Sequence, residues 1–323
     1  MWILIALLSV AGILQYYAMK HALEDLYYNC EPSKLLAAPD EIFDYVTTIK
    51  NGSWRFVPYL KITESMPDSV TVHNEEAVIE DYSFMNEIWH ISSLFLMPRS
   101  AIVRRVPISF PARGRYVFSR SKLQCGDFLG LKDKSHNIEH KREMIIYPNP
   151  ADYNYVIRQL GGFFGDISVR RFIIEDPILT VGFSEYTGRE PMKAISWPQS
   201  AKAGRMMVKT FDYTTELSVS LVLNIEGSPE EIEKSLALTH TVCQILEKKR
   251  IKYDFYTNLI ANGSRLSWTH IAEGLGPRHY QYILEGLGRA AYDSNEPVSK
   301  LLSRVPDERS VILVTHGKVE ELR

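Results

Sequence analysis

Cysteine is scarce in this chain: Cys30, Cys125 and Cys243 are the three present, with no C-x-x-C spacing among them. An odd, sparse set supports neither a disulfide framework nor a structural zinc site, and it points to a reducing compartment. A surplus of positive charge is also missing. Net charge is −2 and the isoelectric point is near 6.5, so no global field draws the protein toward nucleic acid, and no nucleic-acid partner is expected. Catalytic motifs are absent in turn: there is no G-x-S-x-G elbow, no H-E-x-x-H, no Walker A loop and no G-x-G-x-x-G. His136 and His140 stand four apart, but within the polar run DKSHNIEHKRE, which reads as a solvated loop rather than a metal pair. Cys125, in QCGDFLGL, has no histidine or helix start beside it and reads as a small buried residue. The expectation is a non-enzymatic protein with no catalytic residue, no cofactor and no metal.

The N-terminus carries more information. Residues 2–19 hold no charge, and WILIALLSVAGILQYYAM has only Ser9 and Gln15 as clearly polar interruptions. Eighteen helical residues span roughly 27 Å, close to the ~30 Å hydrocarbon core of a bilayer. Tyr16, Tyr17 and Lys20 supply an interfacial edge. A cleaved signal peptide carries Lys or Arg before its apolar stretch, and only Met1 precedes this one. A single transmembrane helix over 1–20 is therefore expected. Charge leaves its orientation open, because Lys20 is the only basic residue nearby.

Residues 21–40 follow as a juxtamembrane connector, and from 41 to 150 the pattern becomes β-like. IFDYVTTIKNGSWRFVPYLKITE alternates apolar and polar positions around Asn51-Gly52, the strongest short hairpin signal. SVTVH, IWHISSLFLM, AIVRRVPISF, GRYVFSRSKL and REMIIYP continue as short strands between turns, a spacing that predicts a β-sandwich. Arg104, Arg105, Arg113, Arg115 and Arg120 share a stretch without acidic residues. They read either as a patch for anionic lipid or an acidic partner, or as charge decorating strand edges.

A linking segment over 151–215 is expected to hold a helix at 153–160 and a short one at 197–202, the latter capped by Ser196 and ended by Gly204. Beyond it, 216–323 reads as a small α/β domain. SVSLVLNI is nearly all apolar, as a strand buried on both faces is. Ser228, Pro229 and Glu231 supply the N-cap, N1 and capping box of the next helix. Ile232, Leu236, Thr239, Cys243 and Leu246 give that helix one buried stripe. KYDFYTNLIA and SVILVT alternate with further helices, predicting a mainly parallel sheet covered on both faces. Ligands bind at the carboxyl rim of such a sheet, and here the rim reads Asn224-Ile225-Glu226-Gly227-Ser228.

Three segments together resemble the bacterial "domain of unknown function 58" family. RGRYVFSRSKLQCGDFLGL at 113–131 is similar to its R-G-x-Y…D-x-F-G-L block. EYTGREPMKAISWPQSAKAGRMMVKTF at 185–211 is similar to its Y-x-x-G-D…I-x-W-x-x-S-A-R block. The third is the strand and capped helix from Ser218 onward. Gly188-Arg189 stands where Gly-Asp is usual, Lys202 replaces an Arg, and a pair of N-terminal membrane helices is reduced to one. The resemblance implies a membrane-bound, cytoplasm-facing protein whose last domain is von Willebrand A-like, with a D-x-S-x-S adhesion loop at the rim. Asn224 and Glu226 replace the Asp and the first Ser, and only Ser228 is retained, so the loop is degenerate and no metal is expected in it. The resemblance also implies an adaptor role beside a MoxR-type AAA+ ATPase and a transglutaminase-like membrane protein, in envelope-related protein assembly or maturation.

The second block gathers Tyr186, Gly188, Arg189, Lys193, Trp197, Ser200 and Lys202 just before the α/β domain. Aromatic and cationic anchors suit a partner-binding surface. The same residues also suit an interdomain seam with Trp197 as its plug. The expected fold is α+β and multidomain: a transmembrane helix at 1–20, a β-sandwich-like domain at 41–150, the linking segment at 151–215 and a von Willebrand A-like domain at 216–323. Two functional readings follow, a membrane-anchored non-enzymatic adaptor and, as the alternative, an extracytoplasmic adhesion or ligand-binding protein.

Overall fold

The computed structural model describes Trp2, Val10, Gly12 and residues 23–73, 78–82, 87–126, 133–163, 180–188, 190–211, 218–264, 268–306 and 309–322. The chain divides into two units, one of 1–149 with 262–264 and 284–290, the other of 150–261 with 265–283 and 291–323.

Strands with period-two burial build the first unit. Along β3 (Phe43–Asn51), Phe43, Tyr45, Thr47, Ile49 and Asn51 are buried and the residues between them are not, the pattern of a strand with one face on a core. β3 lies between β1 (Leu26–Pro32) and β8 (Ala101–Ser109), and β8 pairs further with β5 (Thr71–Val72), all antiparallel. The other sheet runs β2 (Leu36–Ala37), β10 (Asp133–Ile146), β9 (Gly114–Gly126), β4 (Val57–Pro67), β7 (Glu87–Leu96), β6 (Val78–Tyr82), antiparallel apart from the short β2–β10 pair. Side chains of both sheets share the cores. Tyr45 stacks on Phe118 with ring centroids 4.7 Å apart, and Ile49 packs with Leu60, Ile62, Leu96 and Leu123. Burial of each such side chain contributes about 1.5–3 kcal/mol. The Tyr116 hydroxyl donates to the Ala112 carbonyl at 2.8 Å, the tyrosine-corner device of β-sandwiches.

Two local expectations change within this unit. Asn51-Gly52 turns no hairpin, because β3 and β4 belong to different sheets; β3 takes β1 and β8 as partners, and β4 takes β7 and β9. DKSHNIEHKRE is not a loop but part of β10, since β9 offers it a ladder from Asp133 to Ile146 while its side chains stay largely exposed.

The second unit centres on β13 (Ser218–Leu223), buried from Val219 onward. It pairs in parallel with β14 (Lys252–Thr257) and β18 (Ser310–Thr315). β16 (His270–Gly274) and β19 (Lys318–Glu321) then close the two edges antiparallel. The helices include α1 (Tyr153–Gln159), α2 (Trp197–Ala203), α3 (Pro229–Lys249), α4 (Pro277–Arg289) and α5 (Val298–Leu302). The α3 start forms as the sequence dictates: the Ser228 hydroxyl accepts from Glu231 N–H and the Glu231 carboxylate from Ser228 N–H.

The expected fold class needs correction on three counts. The sheet of the second unit is mixed rather than mainly parallel, with two of its four pairings antiparallel. Its last strand returns through His316 and Gly317 at φ of 46° and 68°, the left-handed pair that a tight hairpin requires. Strands dominate the chain, nineteen against five α-helices among the described residues, so the von Willebrand A-like assignment is withdrawn. Finally, among the described residues no helix is long and apolar enough to cross a membrane. The longest, α3, carries Glu230, Glu231, Glu233 and Lys234 in its first half and Glu247, Lys248 and Lys249 at its end. Most of 1–20 lies outside the described residues. The single-pass membrane placement with cytoplasm-facing domains therefore has no crossing helix to rest on and is withdrawn.

Candidate partner-binding site

The block around Trp197 is built on a two-stranded sheet. β11 (Thr180–Glu185) pairs antiparallel with β12 (Met207–Phe211), and between them lie a 3₁₀ turn (Met192–Ala194) and α2. Ser200 fastens α2 to β12: its hydroxyl donates to the Ser196 carbonyl at 2.8 Å and accepts from Met207 N–H at 2.8 Å. Ser196 N–H donates to the Met207 carbonyl at 2.8 Å, while the Ser196 side chain makes no capping bond. Pro198 in the first turn lacks one of the donors a cap would satisfy. Gly204 ends α2 at φ 64°, the left-handed closure expected of it. Thr187 donates its N–H and its hydroxyl to Glu190, at 3.0 and 2.8 Å, and Gly188 turns the chain beside it at φ 86°.

Of the residues singled out in the sequence, Ser200 is thus a fastener and Gly188 a turn. Tyr186 is half-buried, and Lys193 and Lys202 are exposed. Arg189 lies outside the described residues. Trp197 is 61% exposed. Met192 at 69%, Met206 at 48% and Phe183 at 41% are exposed with it. Arg205 pairs with Glu185 at 3.3 Å where both are exposed, worth at most about 1 kcal/mol. Among the described residues no carboxylate pairs with Lys193 or Lys202.

At the rim of the second sheet, hydrogen bonds close the Asn224 loop upon itself. Asn224 Nδ2 donates to Glu226 Oε2 at 3.1 Å and to Thr315 Oγ1 at 3.0 Å, and its Oδ1 accepts from Asn258 Nδ2 at 2.7 Å. Asn258 Oδ1 accepts from Ile225 N–H at 2.7 Å, and Glu226 Oε1 from Val298 N–H at 3.3 Å. Asn224 and Glu226 are thereby committed to each other and to neighbouring strand ends, while Ser228 caps α3. Among the described residues, no group of three His, Cys, Asp or Glu is placed to hold a metal ion.

The first unit holds a polar cluster that sequence reasoning missed. Glu64 is wholly buried. Its Oε1 accepts from the Tyr28 hydroxyl at 2.7 Å and from Thr47 Oγ1 at 2.5 Å, and its Oε2 pairs with the Arg104 guanidinium. His90 Nδ1 stands 3.5 Å from Oε2, at the outer limit of a hydrogen bond. Tyr28 and Ser121 exchange a bond at 2.8 Å, Ser121 and His140 Nε2 another at 2.8 Å, and Cys30 Sγ lies 3.3 Å from that nitrogen. Burial pushes the Glu64 carboxyl up, but His90, Arg104, Thr47 and Tyr28 more than offset it and leave the group below the usual carboxylate range. Burial pushes the Cys30 thiol up and the His140 imidazole down, so the pair is a thiol beside a neutral ring, the reverse of an activated nucleophile. The cluster joins the two sheets: Tyr28, Thr47 and Arg104 come from one, Glu64, His90, Ser121 and His140 from the other. One sequence signal was available. Glu64 shares the inward register of Leu60, Ile62 and Met66, where a carboxylate must be paired.

The arginine-rich stretch is likewise partly internal. Arg104 turns inward to Glu64, Arg115 pairs with Glu143 at 2.8 Å and Arg120 with Glu87 at 3.1 Å.

No family model matches the chain. An uncharacterized protein of Bacillus subtilis, YeaD, is 22% identical over 246 residues, covering 75% of this chain and 56% of that protein. The chain thus spans about half the length of the curated relative it matches. Among solved structures, a cohesin module from a Clostridium perfringens family 33 glycoside hydrolase is 11% identical, covering 38% of this chain and 96% of that one with a TM-score of 0.27. The CARDB domain of a Pyrococcus furiosus protein is 12% identical, covering 36% of this chain and 92% of that one with a TM-score of 0.23. Scores this low carry neither fold nor function across.

Proposed function

We propose that this chain is a non-enzymatic adaptor that binds another protein through the exposed face of residues 183–206. The observation that carries the reading is Trp197, 61% exposed on a helix that Ser200 fastens to β12. Exposed Trp and Met side chains on a fixed frame, with Lys193 and Lys202 paired to no carboxylate among the described residues, have the composition of a binding hot spot, where a partner gains by desolvating the aromatic anchor. Membership of the "domain of unknown function 58" family rests on the blocks at 113–131 and 185–211, and from that membership comes the partner, a MoxR-type AAA+ ATPase.

The test is capture of the purified MoxR-type ATPase by the immobilised full chain. Trp197→Ala should weaken capture by about 2 kcal/mol, roughly 30-fold, and Lys202→Ala by less. Both residues are exposed, so the fold should persist in each variant. Capture that survives Trp197→Ala and deletion of 185–211 unchanged would place the interface elsewhere.

A further inference from the structure

The first unit carries a second exposed aromatic group, on two turns locked together. Residues 52–56 join β3 to β4, and residues 97–100 join β7 to β8. Asn51, 1% exposed, ties these turns into one body. Its Nδ2 donates to the carbonyls of Arg55 at 2.7 Å and Met97 at 3.1 Å. Its Oδ1 accepts from Ser53 N–H at 3.0 Å and Ser53 Oγ at 2.8 Å, and its own N–H donates to the Ser100 carbonyl at 2.8 Å.

Arg99 follows Pro98 at φ 50°, a turn position where glycine or asparagine is usual. An arginine held there costs backbone energy and persists only where its surroundings over-determine it. Two contacts do so: its N–H donates to the Ser53 carbonyl at 3.0 Å, and its guanidinium lies 3.7 Å above the Trp54 ring. The strained residue thus builds an arginine–tryptophan stack.

On this frame Trp54 is 73% exposed, Phe95 56% and Met97 55%, and the Phe56 ring stands 6.2 Å from that of Phe95. Single exposed apolar residues need no explanation, but a cluster on a rigid support does. Its charge is mainly basic. Between Tyr45 and Lys61, and again between Ile91 and Ser109, the sequence holds no Asp or Glu, whereas Lys50, Arg55, Lys61 and Arg99 are basic; Asp25, whose carbonyl accepts from Gly52 N–H at 2.9 Å, borders the tip on one side.

We infer that the tip formed by residues 51–57 and 96–100 is a docking surface for an acidic protein segment carrying aromatic or aliphatic anchors. Charge complementarity selects the acidic partner, with Arg99 offering guanidinium N–H groups to a carboxylate while its plane rests on Trp54. The locked stack selects a shaped partner over a fluid lipid surface, because preorganisation benefits a ligand of defined geometry. This surface shares no residue with 183–206, and the inference stands independently of the adaptor reading.

The experiment uses the full chain and three probes: a fluorescein-labelled peptide alternating Asp or Glu with Phe and Leu, its counterpart with Lys for every acid, and phosphatidylglycerol–phosphatidylcholine vesicles. By fluorescence anisotropy the acidic peptide should bind, more weakly as salt rises. Trp54→Ala and Arg99→Glu should each weaken it on the order of tenfold or more, and Trp197→Ala should leave it unchanged. Circular dichroism would confirm that the variants fold, and Arg99→Gly, which keeps the turn conformation without the side chain, separates the guanidinium from the backbone. Equal binding of the basic peptide, no binding of the acidic one, or affinity indifferent to Trp54 and Arg99 would overturn the inference. So would Trp54-dependent co-flotation with the vesicles in the absence of peptide binding.

Discussion

Replacing Glu64 by glutamine tests whether the buried cluster bolts the two sheets together. The substitution keeps the shape and the bonds from Tyr28 and Thr47 within reach, but it removes the charge that Arg104 faces. Breaking a buried ion pair by deleting one partner costs about 3–5 kcal/mol, because the other charge stays behind. Arg104 is 18% exposed and Glu64 not at all, so the guanidinium regains some water and the lower end, about 3 kcal/mol, is expected. At about 2–4 °C per kcal/mol for a body of this size, the transition of the first unit should fall by roughly 6–12 °C. Scanning calorimetry would read the shift, and hydrogen exchange on β4 and β8 peptides would assign it to this unit. The pH dependence has a definite sign. Glu64 is held below its unfolded value of about 4.3, so its stabilisation is fully present above that pH and is lost as pH falls through the lower folded-state value. The gap between wild type and Glu64→Gln should therefore be constant from about pH 6 to 8 and shrink below about pH 4. The double variant Glu64→Gln/Arg104→Met, which strands no charge and keeps an acceptor for Tyr28 and Thr47, should recover much of the loss. A single variant costing under about 1 kcal/mol, or a gap that widens in acid, would refute the bolt.

Two further outcomes can be checked with less effort. Ser228→Ala removes one half of the capping box at the start of α3 and should cost about 1 kcal/mol in urea denaturation, with Ser228→Asp restoring it; an unchanged midpoint in Ser228→Ala would mean the cap contributes nothing. Cys30, Cys125 and Cys243 are buried and free, and burial pushes each thiol up, Cys125 to about 11. All three should resist Ellman's reagent at pH 8 in the native protein and react together in guanidinium, and a fast native phase would contradict that burial.

Much of the local structure is legible in the chain because its causes lie within a few residues. The bounds of α3 follow from Ser228, Pro229 and Glu231 at one end and the basic residues at the other, where Arg250 takes the left-handed conformation. Gly204 closes α2 for the same reason. The sandwich shows in the alternation along 43–51. Local cues mislead where long-range pairing competes. Asn51-Gly52 has the composition of a hairpin turn, yet Asn51 is drawn inward by carbonyls of Arg55 and Met97, and the flanking strands join different sheets. DKSHNIEHKRE is polar enough for a loop, yet a neighbouring strand supplies backbone partners that side-chain polarity does not reveal.

The sequence by itself determines the capping box at Ser228, the closing glycine at Gly204 and the inward face of β3, because hydrogen bonds and side-chain alternation over two to four residues decide them. Only the tertiary structure decides that Glu64 meets Tyr28, Thr47, Arg104 and His90, across separations of 17 to 40 residues, and that Arg99 lies over Trp54. Those meetings depend on strand register and sheet order, which place distant residues opposite one another, and no local pattern encodes which strand will be the neighbour.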